Sequence, residues 1–166
     1  PSKWYGVKFF NVFGPNEYHK GEMRSVVHKA YEQIRDKKMV RLFKSHRKEF
    51  KDGEQLRDFV YVKDVARALI QMWEEGDPNL SGIYNMGTGE ARSFKDLVMT
   101  VFKSMDTPVK IEYFDMPPAI REQYQYYTKA EMDKFNKLLQ NFKFLSLEDS
   151  VSDYVENYLQ KLNPYY

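Results

Sequence analysis

A chain of 166 residues is long enough for one domain with a buried core. Its formal net charge is only +2, so charge gives no argument for a nucleic-acid partner or an anionic membrane surface. The absence of cysteine excludes disulfides and thiolate catalysis and fits a reducing cytoplasm, and no apolar run approaches the length of a membrane span.

The N-terminal third of the chain predicts a strand, a helix and a second strand. The stretch YGVKFFNVFG is rich in aromatic and β-branched residues and ends at Gly14-Pro15, which predicts a buried strand followed by a loop. Apolar residues at helical spacing then predict a helix over about residues 23–35, and MVRLF predicts a short strand. The mixed charges of KSHRKEFKDGEQLRD indicate a solvated loop.

The central third predicts a strand that leads directly into a helix. Residues 59–62 are expected to be extended, and the helix after them has Asp64 where its carboxylate can support the first turn. After a turn at GDPNLSG, the residues IYNMG predict another strand. The predicted apolar face of the helix has five members: Val65, Ala66, Leu69, Ile70 and Trp73.

Helix-capping residues organise the C-terminal third. Ser93 with Asp96 predicts the start of a helix that continues to about residue 103, and PVKIEYF then alternates as a strand does. Thr128 with Glu131 predicts a short helix, and Ser146 opens the last one. Because strands alternate with helices along the chain, the predicted fold class is α/β.

No complete dinucleotide-binding loop is present in the sequence. The segment Gly87-Thr88-Gly89 is only G-x-G, and Arg92 stands where a third glycine would fall. Taken alone, this segment predicts a tight turn. We also predict no metal site.

Three segments taken together resemble one enzyme superfamily. They are FFNVFGPNEYHKGEM at residues 9–23, LRDFVYVKDVARAL at residues 56–69 and GIYNMGTGEARSFKDL at residues 82–97. Their motifs and order are similar to those of the extended short-chain dehydrogenase/reductases, which epimerise, dehydrate or reduce nucleotide sugars. Within that superfamily, NEYHKG and the later QYQYYT resemble the ADP-L-glycero-D-manno-heptose 6-epimerase family, and the similarity runs from about residue 7 to residue 162.

The resemblance implies a Rossmann-type enzyme of which residues 1–166 form the C-terminal part, with the small substrate-binding α/β domain and the late Rossmann elements. In the family, an N-terminal region binds NADP and carries a catalytic Tyr-x-x-x-Lys pair. No tyrosine of this chain has lysine four residues later. We therefore expect the NADP-binding region to lie upstream of this chain, and we expect the chain alone to be inactive.

The reaction implied by the resemblance inverts C6 of the heptose in ADP-glycero-manno-heptose through a 6-keto intermediate, with NADP as the hydride carrier. Each face of the ketone then needs a group that accepts or donates a proton. The upstream tyrosine serves one face, and Lys20 matches the family position proposed for the other. Without the resemblance, the simpler interpretation of Lys20 is a surface lysine beside a flexible glycine.

Two positions at the end of the first predicted strand match ligand contacts of the family. Parallel α/β sheets place ligands at the carboxyl ends of their strands. Asn11 matches a substrate contact, and its amide can donate to and accept from sugar hydroxyls. The alternative is that Asn11 is only a strand-end turn residue. The backbone of Val12 matches a contact to the nicotinamide end of NADP.

A stretch after the second predicted strand matches the residues that line the ADP-heptose pocket of the family. It consists of Phe43, Lys44, Ser45 and His46, with Phe43 packing on adenine and the others near phosphate or ribose. A phenylalanine in a short strand is otherwise more often part of a core. The chain is also longer between His46 and Arg57 than in some members of the family.

Arg57 and Tyr124 match two further substrate contacts. A guanidinium presents a planar fork that fits pyrophosphate oxygens, and the alternative for Arg57 is a local ion pair with Asp58. Tyr124 matches a substrate-binding tyrosine, although Tyr126 and Tyr127 leave a shift in register open.

Glu22 and Lys29 also match substrate-binding positions, but they depart from the family pattern. Glu22 stands where many members have a small residue, often serine, and a carboxylate is unfavourable near an anionic ligand unless it points away or accepts from sugar hydroxyls. Lys29 stands where some members have histidine. Both differences affect the expected geometry of the substrate.

The leading hypothesis is therefore an NADP-dependent epimerase of ADP-heptose that serves lipopolysaccharide inner-core synthesis in the cytoplasm of a Gram-negative bacterium. One alternative is another nucleotide-sugar epimerase, dehydratase or reductase of the superfamily. Another is a sugar-nucleotide-binding module without catalysis. We expect the full-length protein to be a homo-oligomer, with no nucleic-acid or membrane partner.

Overall fold

Short strands and longer helices alternate through residues 2–165, which are the residues that the computed structural model describes, so Pro1 and Tyr166 lie outside the description. The strands are β1 (Tyr5–Phe9), β2 (Asn11–Phe13), β3 (Val40–Phe43), β4 (Leu56–Tyr61), β5 (Gly82–Met86), β6 (Ala91–Ser93) and β7 (Ile111–Phe114). The α-helices are α1 (Val26–Lys37), α2 (Val62–Glu75), α3 (Phe94–Ser104), α4 (Pro118–Arg121), α5 (Asp133–Leu138) and α6 (Leu147–Tyr154). The predicted α/β class is confirmed.

The strands of the described residues form three small sheets. β1 pairs in parallel with β5, with Tyr5 opposite Gly82 and Phe9 opposite Met86. β4 pairs in parallel with β2 and antiparallel with β6, and β3 pairs in parallel with β7. Parallel pairs need crossover connections, and helices such as α1 and α2 lie in those crossovers.

The first predicted strand is two strands with different partners. The break is at Phe10, whose N–H donates to the Met86 carbonyl at 3.0 Å while the Val12 N–H donates to the Phe10 carbonyl at 2.9 Å. This tight turn ends the pairing with β5, and β2 then continues beside β4. The prediction of one continuous strand was wrong because composition does not reveal a change of partner.

Helix α1 begins three residues later than predicted. Residues Tyr18–Met23 form a 3-10 helix in which Gly21 has φ of 51°, a left-handed conformation that favours glycine. Ser25 then caps α1, because its Oγ accepts from the His28 N–H at 3.3 Å. Val27 and Ile34 on this helix are fully buried, as their spacing predicted.

Of the apolar face predicted for helix α2, only Val65 is buried. Val65, Ala68 and Met72 pack into the core beside β5 and α5. Ile70 and Trp73 belong to the predicted apolar face but are 58% and 73% exposed. The helix carries apolar residues on two sides, and hydrophobic spacing alone does not tell which side has a neighbour.

Asp64, at the start of α2, is buried and does more than support the first helical turn. Its Oδ2 accepts from the Leu145 N–H at 2.7 Å, and its Oδ1 accepts from Arg67. The carboxylate therefore joins the helix to the chain that precedes α6.

Two of the predicted helix caps are present. The Asp96 N–H donates to Ser93 Oγ at 2.9 Å, and the Ser93 N–H donates back to Asp96 Oδ2 at 3.3 Å, which completes the capping box of α3. Ser146 Oγ accepts from the Asp149 N–H at 3.0 Å and caps α6. Beyond α6 the chain continues as a π-helical turn, Val155–Leu159, whose buried residues extend the apolar face of α6.

The capping box predicted at Thr128 is absent from the described structure, and α5 begins at Asp133. Residues 126–130 instead run beside β4. The Leu56 N–H donates to the Tyr126 carbonyl at 2.8 Å, and the Thr128 N–H donates to the Leu56 carbonyl at 3.2 Å. These backbone bonds hold the segment extended, so the local capping pattern is overridden by a contact distant in sequence.

Two apolar cores hold these elements together. One packs α1, α3 and α6 against β3 and β4, and it contains Ile34, Phe102 and Tyr154. The other packs α2 and α5 against β5, and it contains Met72 and Phe135. In the described part of the chain, no helix combines the length and the apolar character that crossing a bilayer requires.

Candidate functional site

A cavity of about 410 Å³ between α1 and β3, here called the α1–β3 cavity, is lined by three of the predicted site residues. Lys29 comes from α1, Phe43 from β3, and Tyr124 from the segment that follows α4. Most of the other lining residues are apolar, which suits the face of a ring system better than a highly charged group.

Aromatic rings form one wall of the α1–β3 cavity. The ring centroids of Phe43 and Phe114 are 4.8 Å apart, and Tyr124 meets Phe43 edge-on at 6.1 Å. Of the three neighbouring tyrosines, Tyr124 lines the cavity, whereas Tyr126 is buried and accepts from the His46 N–H at 2.8 Å. Such rings can stack against a flat base.

Arg57 lies beside two rings that line this cavity. Its guanidinium carbon is 5.2 Å from the ring centroid of Tyr124 and 5.6 Å from that of Phe94, and Nη1 donates to the Leu56 carbonyl at 2.8 Å. Burial lowers the pKa of Arg57, but a guanidinium stays charged in proteins. No carboxylate of residues 2–165 forms an ion pair with it, so a half-buried positive charge lies beside two rings of the cavity without a counter-ion, although Arg57 does not itself line the cavity.

The neighbouring Asp58 points to the other side of β4, so the local Arg57–Asp58 ion pair does not form. The Asp58 carboxylate accepts from the Thr88 N–H at 2.7 Å, the Thr88 hydroxyl at 2.8 Å, the Gly89 N–H at 2.9 Å and the Ala130 N–H at 3.0 Å. It thereby holds the Gly87–Gly89 turn. The G-x-G segment is thus a structural turn around a buried carboxylate.

Lys44, Ser45 and His46 do not line the α1–β3 cavity. Ser45 N–H donates to Asp52 Oδ1 at 2.7 Å, and His46 Nε2 accepts from the Met116 N–H at 3.1 Å. Lys44 Nζ lies 3.4 Å from Asp115. In this chain the three residues therefore stabilise the loop after β3, and their predicted contact with substrate stays a prediction.

Asn11 and Val12 line a second, smaller cavity of about 240 Å³, and they are the first and middle residues of β2 rather than the end of a strand, because the predicted strand breaks at Phe10. Val26 and Phe94 line both this cavity and the α1–β3 cavity, so the two are neighbours. Asn11 is exposed and Val12 is half-buried. An extended ligand in the α1–β3 cavity can therefore continue past Phe94 towards Asn11.

Lys20 lines a third cavity, of about 550 Å³, beside α2, here called the α2 cavity. Lys63 and Arg67 also line it, and each has an acidic partner: Lys63 Nζ is 2.7 Å from Asp153, and Arg67 bonds to Asp64. Lys20 is exposed. Among the described residues, the cavity of Lys20 shares no lining residue with the α1–β3 cavity, so the structure does not bring Lys20 together with the predicted substrate contacts.

The two departures from the family pattern contact each other. Lys29 Nζ donates to the Glu22 carbonyl and lies 3.4 Å from the Glu22 carboxylate. The Glu22 side chain is 94% exposed, so its charge points away from the cavity. Lys29 is therefore held at the cavity edge by Glu22, and the unfavourable placement of a carboxylate near an anion is avoided.

Sequence reasoning missed Arg41 and Phe114 in the α1–β3 cavity. β3 pairs with β7 so that Phe43 is opposite Phe114, and the Arg41 guanidinium carbon lies 4.3 Å from the Phe114 ring centroid. The alternation of PVKIEYF predicted a strand, and its terminal Phe114 was a usable signal. The pairing of that strand with β3 spans 71 residues and has no local signature.

Comparisons with known proteins agree with this architecture. The model of the NAD dependent epimerase/dehydratase family matches residues 2–87 of the 166. An ADP-L-glycero-D-manno-heptose-6-epimerase of Nitratidesulfovibrio vulgaris is 48% identical over 159 residues, which are 96% of this chain and 49% of that protein. One of Fusobacterium nucleatum is 46% identical over 171 residues, which are 99% of this chain and 51% of that protein.

Solved structures give the same result. The ADP-L-glycero-D-manno-heptose-6-epimerase of Helicobacter pylori superposes with a TM-score of 0.76 at 29% identity, over 93% of this chain and 44% of that chain. The UDP-glucose 4-epimerase of Thermotoga maritima superposes with a TM-score of 0.73 at 26% identity, over 93% and 45%. The chain spans about half the length of the curated relatives it matches.

The match to the family model covers the strands and helices that position Asn11, Lys20, Arg57 and the Gly87–Gly89 turn. The superposed structures extend the agreement over nearly all of the chain. The chain belongs to the NAD dependent epimerase/dehydratase family.

Proposed function

We propose that the complete gene product is an NADP-dependent epimerase that inverts C6 of ADP-glycero-manno-heptose, and that this chain supplies the site for the nucleotide sugar. Support comes from the two relatives named as ADP-L-glycero-D-manno-heptose-6-epimerases, at 48% and 46% identity. The observation that carries the proposal is Arg57, a half-buried cation beside an aromatic cavity, for which residues 2–165 provide no ion-pair partner.

The charge at the cavity rim suits a pyrophosphate. A buried or half-buried charge is unfavourable without a counter-ion, and the planar fork of a guanidinium matches two phosphate oxygens at once. Lys29 adds a second positive charge at the edge of the same cavity. The anion that Arg57 lacks within the chain is therefore supplied by the ligand.

The remaining parts of the nucleotide sugar fit the cavities on either side of Arg57. Adenine packs against Phe43 and Phe114 in the α1–β3 cavity, where base stacking is worth about 1–3 kcal/mol per base. The sugar extends past Phe94 towards Asn11, whose amide bonds its hydroxyls. The two cavities share Val26 and Phe94 as lining residues, and Arg57 lies beside Phe94, which supports this placement of base, pyrophosphate and sugar.

Proton transfer at the sugar is assigned to Lys20 and to the tyrosine expected upstream. Lys20 donates or accepts a proton at the C6 oxygen on one face of the sugar, and the tyrosine serves the opposite face. The ammonium group has a long, flexible stem, so its backbone must hold it close to the sugar. Among residues 2–165, the α2 cavity that Lys20 lines shares no lining residue with the cavity of Asn11, so the assignment of Lys20 rests on the resemblance of its turn to the family.

The described residues fit one end of a nicotinamide cofactor. Val12 is half-buried in the middle of β2, next to Asn11, where its backbone can meet the nicotinamide while the rest of the cofactor contacts the region expected upstream. When bound, NADP takes a hydride from the sugar carbon and returns it to the opposite face. A homo-oligomer and a cytoplasmic location stay predictions.

A second candidate function is epimerisation of another nucleotide sugar. The TM-score of 0.73 to the UDP-glucose 4-epimerase of Thermotoga maritima favours it, because the same fold there accommodates a different base. A binding module without catalysis is the third candidate, since the Tyr-x-x-x-Lys pair is absent from these 166 residues.

Activity assays on the complete gene product separate these candidates. The protein is incubated with ADP-heptose, UDP-hexoses and GDP-hexoses, with NADP or NAD, and epimers are resolved by chromatography or NMR. We expect conversion of ADP-heptose alone, with a preference for NADP. Turnover of a UDP- or GDP-sugar but not of ADP-heptose would refute the proposed substrate. Calorimetry of this chain with an ADP-sugar then tests whether binding survives without catalysis.

A further inference from the structure

A buried carboxylate lies directly below the turn that carries Lys20. Glu17 immediately precedes the 3-10 helix Tyr18–Met23, and it is only 4% exposed. Its Oε2 accepts from the Ser25 N–H at 2.7 Å, and its Oε1 accepts from the Ser25 hydroxyl at 2.6 Å. Both oxygens are thus used to fix the residue that caps α1.

The same carboxylate reaches the C-terminal helix. The Tyr154 hydroxyl, which comes from α6, donates to Glu17 Oε1 at 2.9 Å, and His28 Nδ1 lies 3.1 Å from that hydroxyl. On the other side of the imidazole, Arg24 Nη1 is 3.1 Å from His28 Nε2 and donates to Glu32 at 2.7 Å. Glu17 is therefore the point at which the Lys20 turn, α1 and α6 meet.

The backbone of the turn is anchored at the same place. The Lys20 N–H donates to the Glu17 carbonyl at 3.0 Å, and the Arg24 N–H donates to the Gly21 carbonyl at 3.2 Å. Tyr18 packs edge-on against His28 at 5.1 Å and donates to the Pro164 carbonyl. The six residues from 18 to 23 are thus held at both ends, while the Lys20 side chain extends freely into the α2 cavity.

Burying a carboxylate whose hydrogen-bond donors are all neutral is unfavourable in free energy as a means of stabilising a turn. Its desolvation is unfavourable, and a well-packed apolar residue often stabilises such a place equally well. What the carboxylate adds is geometry, because three directional bonds fix two helices and one turn relative to each other.

We propose that Glu17 is a positioning residue for Lys20: by tying the Lys20 turn to the residue that caps α1 and to α6, it sets where the lysine stands relative to the nucleotide-sugar cavities. Ser25 and Tyr154 are the partners through which it acts. This inference rests on the proposed function, since it assigns Lys20 to proton transfer.

The kinetic test uses Glu17→Gln and Tyr154→Phe in the complete gene product, each alone and combined with Lys20→Met. A misplacement of about 1 Å lowers the rate of a positioned reaction about 100-fold. We expect kcat to fall about 10- to 100-fold in each single variant, with KM nearly unchanged. In the Lys20→Met background, Glu17→Gln should cause no further loss, because the group that it positions is gone.

The control is Glu75→Gln, which changes an exposed carboxylate at the end of α2 and should leave kcat and KM as they are. Two results would overturn the proposal. The first is a loss from Glu17→Gln that multiplies with the loss from Lys20→Met, since the two residues would then act independently. The second is a rise in KM with kcat intact, which indicates a role in binding or in general stability.

Hydrogen exchange on this chain tests the anchoring without any substrate. Glu17→Gln should speed exchange of the amides of residues 20–25 by at least about 10-fold and leave α3 and α5 at wild-type rates, because only the local opening is affected. Unchanged protection of those amides would overturn the proposal even if the variant proves too unstable for kinetics. If wild type converts no nucleotide sugar, the proposed function fails, and hydrogen exchange still decides whether Glu17 holds the turn.

Discussion

Cations lie beside the α1–β3 cavity and line the α2 cavity, but two of them differ from a third in their partners. Arg57 does not itself line the α1–β3 cavity, but it lies beside two of its rings, and the described residues offer it no carboxylate. In the α2 cavity, Lys63 and Arg67 are neutralised by Asp153 and Asp64. A residue type therefore does not define a site. Under the proposed function, the pyrophosphate binds at Arg57, whereas the paired Lys63 and Arg67 stabilise the fold.

The largest expected effect is on kcat, and it distinguishes the role of Lys20 from that of the substrate-binding residues. Replacing Lys20 with Met removes a proton-transfer group, so kcat for ADP-heptose should fall about 100- to 10,000-fold. KM should change little, because the substituted group lies outside the α1–β3 cavity. Steady-state kinetics of the complete gene product measure both quantities. Lys137→Met, on the exposed side of α5, is the matched control, and wild-type turnover by Lys20→Met would end the catalytic assignment.

The opposite pattern is expected at Arg57. Arg57→Glu places a negative charge where the pyrophosphate binds, so KM for the nucleotide sugar should rise at least about 30-fold. Calorimetry or steady-state kinetics detect the change. Arg35→Glu reverses a surface arginine that pairs with Asp36 and should leave KM unaltered. An unaltered KM in Arg57→Glu would show that this cation has no role in phosphate binding.

A smaller effect, on affinity for ADP, tests whether the nucleotide base packs against the aromatic wall of the α1–β3 cavity. Phe43→Ala removes a ring that lines the α1–β3 cavity, and affinity for ADP should fall about 10-fold. Affinity for inorganic pyrophosphate should not change, because it has no base to stack. Phe50→Ala removes a ring that packs on Tyr126 in the loop after β3 and is the control. Equal losses for ADP and pyrophosphate would contradict a base-stacking role.

The smallest effect concerns pH and acts on the network of Glu17 rather than on the α1–β3 cavity. Burial lowers the pKa of His28; Arg24 acts in the same direction, while Glu32 and Glu17 oppose it. The folded chain therefore keeps His28 neutral at a pH at which the unfolded chain, with its ordinary pKa of about 6.5, already binds a proton. The free energy of unfolding should decrease as pH falls below about 6.5, until the folded pKa is reached.

Urea unfolding of this chain at several pH values between 7.5 and 5 measures that decrease. His28→Gln removes the titrating group and should flatten the dependence. The same slope in wild type and variant would assign the pH dependence to other groups, such as Asp153, whose pKa is lowered by its bonds to Lys63 and Tyr61 against the effect of burial.

Local patterns predicted much of the fold. The capping box at Ser93, the helix at Val26–Lys37 and the direct passage from β4 into α2 each depend on residues that lie within a few positions of one another. The errors occurred where a distant contact decided the outcome. Residues 126–130 follow β4 instead of forming a helix, and the first strand changes partner at Phe10.

In the candidate site, too, contacts between residues distant in sequence were the ones that could not be predicted. Phe43, Tyr124 and Lys29 were predicted by resemblance and do line one cavity. Lys44, Ser45 and His46 instead bond to Asp115, Asp52 and Met116 in and beside the loop after β3, and no local pattern predicts these contacts. Glu17 escaped notice because its role depends on Tyr154, which is 137 residues away.

The opposite orientations of Arg57 and Asp58 affect the register of β4 in its sheet. Neighbouring residues on a strand face opposite sides, so a slip by one position in one direction would put the Asp58 carboxylate at the proposed anion site, and a slip in the other direction would put the Arg57 guanidinium inside the Gly87–Gly89 turn. The first slip would place a carboxylate next to an anion. The second would bury a charged guanidinium away from water. Charged side chains as well as apolar side chains therefore determine the register of β4. A protein in which Arg57 and Asp58 are exchanged should fold poorly and should not bind nucleotides.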